Sequence, residues 1–353
     1  MKKLKIIASA VSLALCAGIF SSCGNSDEID SSQKETTEIT GQAVSGTDDS
    51  DVMSGADADG SLDDSQNEVP SDITPAMWLV TSPEGNTMVC LGSMHALTDA
   101  DYPLPEKITN AFDNADILAV ECDITESNNM ISQLALLKSA VYSGKDNALN
   151  HISQEAYEIL SERFAEFNVS LDSFIKYKPW FLQNTYESFI LMNSGLNAEL
   201  GIDAWLLKRA HSVGKEIFEV ESYDFQEDLL TNMSDETYDL MFRALEGETK
   251  ASQIQSLNDL YEAWRTGDIE KIDGISNDVD YGDMTEEDIK IYNQYCDDMY
   301  NNRNKTMASA VKKLLDEGKN VFYVVGAAHF TGETGIISLL EDEGYIFERI
   351  DYK

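Results

Sequence analysis

Two histidines of this chain stand in the same local setting. His95 ends the run Leu91-Gly92-Ser93-Met94-His95, and His329 ends Val325-Gly326-Ala327-Ala328-His329. Each follows an apolar stretch, then a glycine, then two small or apolar residues. The chain has four histidines in all, so two copies of one pattern carry more weight than a lone G-x-x-H. Two further expected strands end in a carboxylate: Glu121 follows the apolar Asp116–Val120, and Glu221 follows Lys215–Val220. Two imidazoles and a carboxylate make a donor set for a divalent metal that keeps positions open for water and substrate. Such an ion acidifies water and polarises a carbonyl. The same residues admit a plainer reading, in which His95 and His329 only hydrogen-bond to hold their turns, and spacing alone leaves both open. His151, just before a helix, reads as a surface or capping residue. His211 sits near a helix C-terminus, where the dipole favours a cation.

The elements that would position these groups follow from the apolar periodicity. Met77–Val80, a turn at Pro83-Glu84-Gly85-Asn86, and Thr87–Leu91 read as a β-hairpin whose second strand runs into Gly92. Helices are expected from Pro105 to Asn114, Ile124 to Val141, Ser153 to Phe167, Pro179 to Asn193 and Gly201 to Val213. The strands Asp116–Val120, Lys215–Val220 and Asn320–Val325 lie between helical stretches. Tyr223 to Glu317 reads as one long helical region broken near Gly247, Gly267 and Tyr281-Gly282. Gly318 is placed to close it. A helix at Thr334–Asp342 and a strand at Tyr345–Ile350 finish the chain. Strands alternate with helices at both ends, around a helical block. The expected fold is therefore α/β, a central mostly parallel sheet with flanking helices and a helical insertion. Ligands of open α/β sheets bind at the carboxyl ends of the strands, where His95, Glu121, Glu221 and His329 all fall.

The first residues, Met-Lys-Lys-Leu-Lys, precede an apolar run from Ile6 to Phe20 that is too short to span a bilayer of roughly 20 residues and suits a signal peptide. It ends in Phe20-Ser21-Ser22-Cys23, similar to a bacterial lipobox with Phe where Leu is usual. The expectation is a lipoprotein signal over 1–22, lipidation at Cys23, and a mature protein on the extracytoplasmic face of the cell membrane, attached through its lipid alone. Residues 23–72 are rich in Ser, Thr, Asp, Glu and Gly. From Gly24 to Asp72 there are 14 acidic residues against Lys34, a composition that cannot offset chain entropy by burial and reads as a disordered tether. Residues 73–353 remain for one domain. A formal net charge of −39 argues against nucleic acid and against polybasic adhesion to anionic lipid. Cys90 and Cys122 fall on core strands and read as buried free thiols, with a bridge between them as the alternative.

The folded part resembles the TraB/GumN family. Leu91-Gly92-Ser93-Met94-His95 followed by Tyr102-Pro103-Leu104-Pro105 is similar to its opening motif, with Ser93-Met94 where Thr-Ile is common. Lys178-Pro179-Trp180, Gly201-Ile202-Asp203, Gly214-Lys215, Arg303-Asn304, and Val325-Gly326-Ala327-Ala328-His329 with Gly344-Tyr345 follow in the family's order. Glu221 follows Val220, where the family often has Leu. Through it the chain is similar to the animal TIKI metalloproteases and to the erythromycin-esterase and ChaN-like fold. The resemblance implies His95, His329 and Glu121 as metal ligands. It implies Glu121, Arg303 and Asn304 in catalysis, with Asp203 and Glu221 as weaker members. It implies a divalent cofactor, Mn²⁺ or Co²⁺ ahead of Zn²⁺, and a peptide or protein substrate. Three functions compete: a tethered metal-dependent hydrolase, a peptide- or pheromone-sequestering lipoprotein, and a structural envelope protein. The polar set at the strand ends favours the first.

Overall fold

In the computed structural model, residues 71–125, 130–277, 279, 281–282 and 284–353 are described. The expected signal peptide, Cys23 and nearly all of the tether lie outside them. Among the described residues no helix is long and apolar enough to cross a membrane.

Six strands form one mixed sheet: β1 (Met77–Thr81), β2 (Thr87–Ser93), β3 (Ile117–Val120), β4 (Glu216–Glu219), β5 (Val321–Gly326) and β6 (Ile346–Arg349). Their order is β4-β3-β5-β2-β1-β6. β2, β3, β4 and β5 are mutually parallel, so their carboxyl ends lie along one edge. β1 pairs antiparallel with β2 as the expected hairpin, and β6 caps the sheet beside β1. The α/β expectation, mostly parallel with flanking helices, holds.

β5 is buried at every position, as a strand covered on both faces must be. Its alternation divides the core. Phe322 and Val324 face the helical insertion, while Val321, Tyr323 and Val325 face Met307, Val311, Leu314, Ile336 and Leu340. The helices are α1 (Glu106–Asn114), α2 (Met130–Ser139), α3 (Gln154–Ala165), α4 (Pro179–Ser194), α5 (Ile202–Val213), α6 (Tyr223–Thr231), α7 (Asp235–Ala244), α8 (Lys250–Thr266), α9 (Ile269–Asn277), α10 (Glu286–Cys296), α11 (Asn302–Asp316) and α12 (Ile336–Glu341). Breaks occur at Gly247 and Gly267, both in the left-handed region with φ of 72° and 64°. One further break, at Asn232–Ser234, was not expected. There the Ser234 hydroxyl accepts from Thr237 N and starts a new helix. α10 runs into α11 through a π-helical turn at Asp297–Asn301.

Cys90, Cys122 and Cys296 are free thiols, and Cys90 and Cys122 are buried. His211 does more than lie near a helix end: its Nε2 meets Asp123 Oδ2 at 2.6 Å.

Candidate active site

The parallel strands deliver four polar side chains to one edge. Glu121 follows β3 directly, and Glu221 lies just past β4. The backbone keeps these two level, because Glu221 N donates to Glu121 O at 2.8 Å, carrying the pairing beyond the strands. His95 follows β2 by two residues. His329 sits in the 3-10 turn Ala327–Phe330 after β5, where Phe330 stacks on Trp78 at 4.7 Å and anchors it.

Gly326 marks where they meet. A Cβ built on it would lie 3.1 Å from Glu121 Oε1, 3.4 Å from His329 Cδ2 and 4.0 Å from His95 Nε2. The glycine leaves room for three functional groups, a clearer reason for its presence than backbone freedom. Gly201 is likewise required by close approach, since any side chain there would run into the His95 carbonyl. Trp264 Nε1 donates to Gly92 O at 2.8 Å and holds the start of the His95 turn. Tyr102 OH donates to Leu200 O at 2.6 Å and holds the turn before Asp203.

Each histidine has its Nδ1 engaged. His95 Nδ1 is 2.8 Å from Asp203 Oδ2. His329 Nδ1 is 2.6 Å from Asn304 Oδ1. The Asn304 amide is oriented by its Nδ2, which donates to Thr334 O at 3.0 Å, so Oδ1 accepts and His329 carries its proton on Nδ1. Both Nε2 atoms point inward. That of His95 is buried and has no hydrogen-bond partner, and that of His329 lies 3.8 Å from Glu121 Oε1.

The carboxylates are clamped. Arg303, 2% exposed, donates Nη2 to Glu121 Oε2 at 2.6 Å and to Glu221 Oε2 at 2.9 Å. Its Nε reaches Glu221 Oε1 at 2.9 Å, and its Nη1 donates to Met299 O at 3.2 Å. Gln226, a residue of α6 that sequence reasoning missed, donates Nε2 to Glu121 Oε2 at 3.1 Å and to Glu221 Oε2 at 3.0 Å. Its amide is oriented by the Cys122 thiol, which donates to Gln226 Oε1 at 3.1 Å. Glu121 Oε1 accepts from Gly326 N at 2.7 Å. Nothing in the order of residues marks Gln226, a single polar residue on the buried side of an amphipathic helix.

These contacts set the electrostatics. Burial works against a charged Glu121, but the Arg303 guanidinium outweighs it and holds the carboxyl well below its usual range. Burial also opposes charge on His95. There the Asp203 carboxylate, with Glu121 behind it, prevails and pushes the imidazole up to about 9. In His329, burial and the Arg303 charge act together and push it down to about 3. Glu121, Asp203 and Glu221 are all buried, and Arg303 is the one guanidinium that touches two of them. Three buried carboxylates face the Arg303 guanidinium and, at neutral pH, a protonated His95, which leaves the site with a net negative charge among the described residues.

The expected residues therefore come together: His95, Glu121 and His329 around Gly326, Asp203 and Asn304 behind the histidines, and Glu221 and Arg303 behind Glu121. Arg303 is committed to the carboxylates and does not face open space. The donors suit a divalent ion, with two imidazole Nε2 atoms, a carboxylate oxygen and a net negative charge, and the ion would displace the proton that Asp203 and Glu121 hold on His95. Among the described residues, however, no three His, Cys, Asp or Glu side chains are gathered closely enough to hold an ion as they stand. The chemistry of the donor set fits; its assembled geometry is not present.

A profile of the TraB/PrgY/gumN family matches residues 76–349. The chain is 26% identical over 156 residues to a protein named Uncharacterized protein YbaP in Escherichia coli (strain K12), and equally to that of Shigella flexneri. These matches cover 44% of this chain and 56% of each relative. No solved structure matches significantly.

Proposed function

The chain belongs to the TraB/PrgY/gumN family, and from that premise we propose that it is a metal-dependent hydrolase cleaving peptides or proteins, lipid-anchored through Cys23 on the extracytoplasmic face of the membrane. The observation that carries the hydrolytic reading is the meeting of His95 Nε2, His329 Nε2 and Glu121 Oε1 around Gly326 in a buried site of net negative charge. His95 and His329 would hold the ion through Nε2, with Mn²⁺ or Co²⁺ expected ahead of Zn²⁺. Bound there, a divalent ion acts as a Lewis acid toward a carbonyl and acidifies water. Asp203 and Asn304 fix the two rings by their Nδ1 atoms, an outer-shell arrangement that orients a ligand and raises its basicity. Glu121 turns Oε1 toward the histidines while Arg303 and Gln226 hold Oε2. Oε1 is thus the atom that completes the donor set or takes the proton of the attacking water. Substrate class and anchoring rest on the family resemblance and on the N-terminal sequence.

The test is a digest of a peptide library by protein purified without added metal, with Mn²⁺, Co²⁺ or Mg²⁺ supplied and with chelator. Cleavage that chelator abolishes and Mn²⁺ or Co²⁺ restores better than Mg²⁺ is the expected result. Retention of peptides with no cleavage under any metal would replace the hydrolase by a sequestering protein.

A further inference from the structure

Ser93 belongs to the first G-x-x-H turn, yet none of the roles above uses it. It is 3% exposed, and its hydroxyl is buried with no hydrogen-bond partner. A buried hydroxyl without a partner costs free energy comparable to a lost hydrogen bond, so its persistence asks for a reason. Register supplies its direction. Ser93 pairs with Gly326 across β2 and β5, and partners on neighbouring strands project to the same face. Alternation agrees, because Leu91, two residues earlier, packs in the same core as Val324, two residues before Gly326. The Gly326 Cβ direction leads to Glu121 Oε1, His329 and His95 Nε2. The Ser93 hydroxyl therefore projects on the face where the site is assembled.

A hydrolytic site needs a donor for the carbonyl oxygen as negative charge develops on it. Arg303 is poorly placed for this, since its Nε, Nη1 and Nη2 already donate to Glu221, Met299 and Glu121. The Gly326 N–H is likewise committed to Glu121, and the Gln226 amide to both glutamates. Among the described residues Ser93 is a buried hydroxyl on this face without a partner, and the other unpartnered group there, His95 Nε2, is assigned to the ion. We propose that Ser93 is a further catalytic residue, its O–H donating to the carbonyl oxygen of the bound substrate. The proposal rests on the hydrolytic reading of the site.

The experiment compares wild type, Ser93→Ala and Ser93→Thr in the metal-supplemented peptide digest, with kcat, KM, metal content and Tm measured for each. Ser93→Ala should lose kcat on the order of a hundredfold, the scale for removing one such donor. KM should move little, metal content should be unchanged, and Tm should be no lower, because no internal hydrogen bond is removed. Ser93→Thr keeps the hydroxyl and should recover most of the rate. Wild-type kcat in Ser93→Ala overturns the proposal while leaving the hydrolase intact. So does a marked fall in Tm, which would make Ser93 structural, or joint loss of metal and activity, which would make it part of the metal site. No cleavage by wild type under any metal sinks the hydrolytic reading and this proposal together.

Discussion

Arg303 ties Glu121 and Glu221 to α11, and its environment makes it unusually sensitive to change. Arg303→Ala would leave both carboxylates buried without their counter-charge, a loss expected to cost about 3–5 kcal/mol. Arg303→Lys keeps the charge but not the fork that reaches both glutamates, so it should recover only part. Urea unfolding of both variants checks this, and a stability within error of wild type would mean that the clamp contributes nothing. His95, Glu121 and His329 are legible in the sequence because each ends or closely follows a short apolar run that reads as a buried strand. Asp203, Arg303 and Asn304 are not legible that way. They sit on helices far along the chain, and only motif resemblance joins them to the histidines. Gln226 has neither signal: its partners are fixed by where α6 sets it against Glu121 and Glu221, just past β3 and β4.

At the scale of elements, the two G-x-x-H turns pack on one another, and Gly92 has Ala327 directly beside it. Gly326 has φ −50° and ψ 135°, values open to any residue, so Gly326→Ala should fold. Its methyl group would stand among Glu121, His329 and His95, and Glu121 Oε1, at 3.1 Å, would have to give by a few tenths of an ångström. The expected outcome is a protein whose circular dichroism matches wild type but whose Mn²⁺ affinity falls by roughly tenfold or more, a loss of about 1.4 kcal/mol. Unchanged affinity in a calorimetric titration would place the binding site elsewhere. The strand ends and the Gly247 and Gly267 breaks follow from local signals, apolar runs and glycines. The break at Asn232–Ser234 has no glycine, only a serine cap ahead of Asp235 and Glu236. The π-helical turn at Asp297–Asn301 contains neither glycine nor proline to mark it.

At the scale of the whole molecule, surface chemistry separates from the site. His151 lies between Asp146, at 3.1 Å, and Asp235, at 2.7 Å. Partial burial opposes its charge, but the two aspartates outweigh this and raise it above the ordinary histidine value. A raised imidazole stabilises the fold fully below its unfolded pKa, and the contribution is lost as pH climbs through the folded value. The Tm gap between wild type and His151→Gln should therefore be wider at about pH 5 than at about pH 9. An equal gap at both would show that the pairing does not titrate. Deleting Ser26–Gly60 should shift Tm by no more than about a degree or two, since the acidic, apolar-poor stretch offers little to pack. A large drop would show that it docks on the domain. The central claim, that His95, Glu121 and His329 share one divalent ion, is tested most directly by anomalous diffraction at the Mn edge from crystals grown with Mn²⁺. The account predicts one peak beside Gly326, within bonding distance of both Nε2 atoms and of Glu121. A peak elsewhere, or none at saturating Mn²⁺, would contradict it.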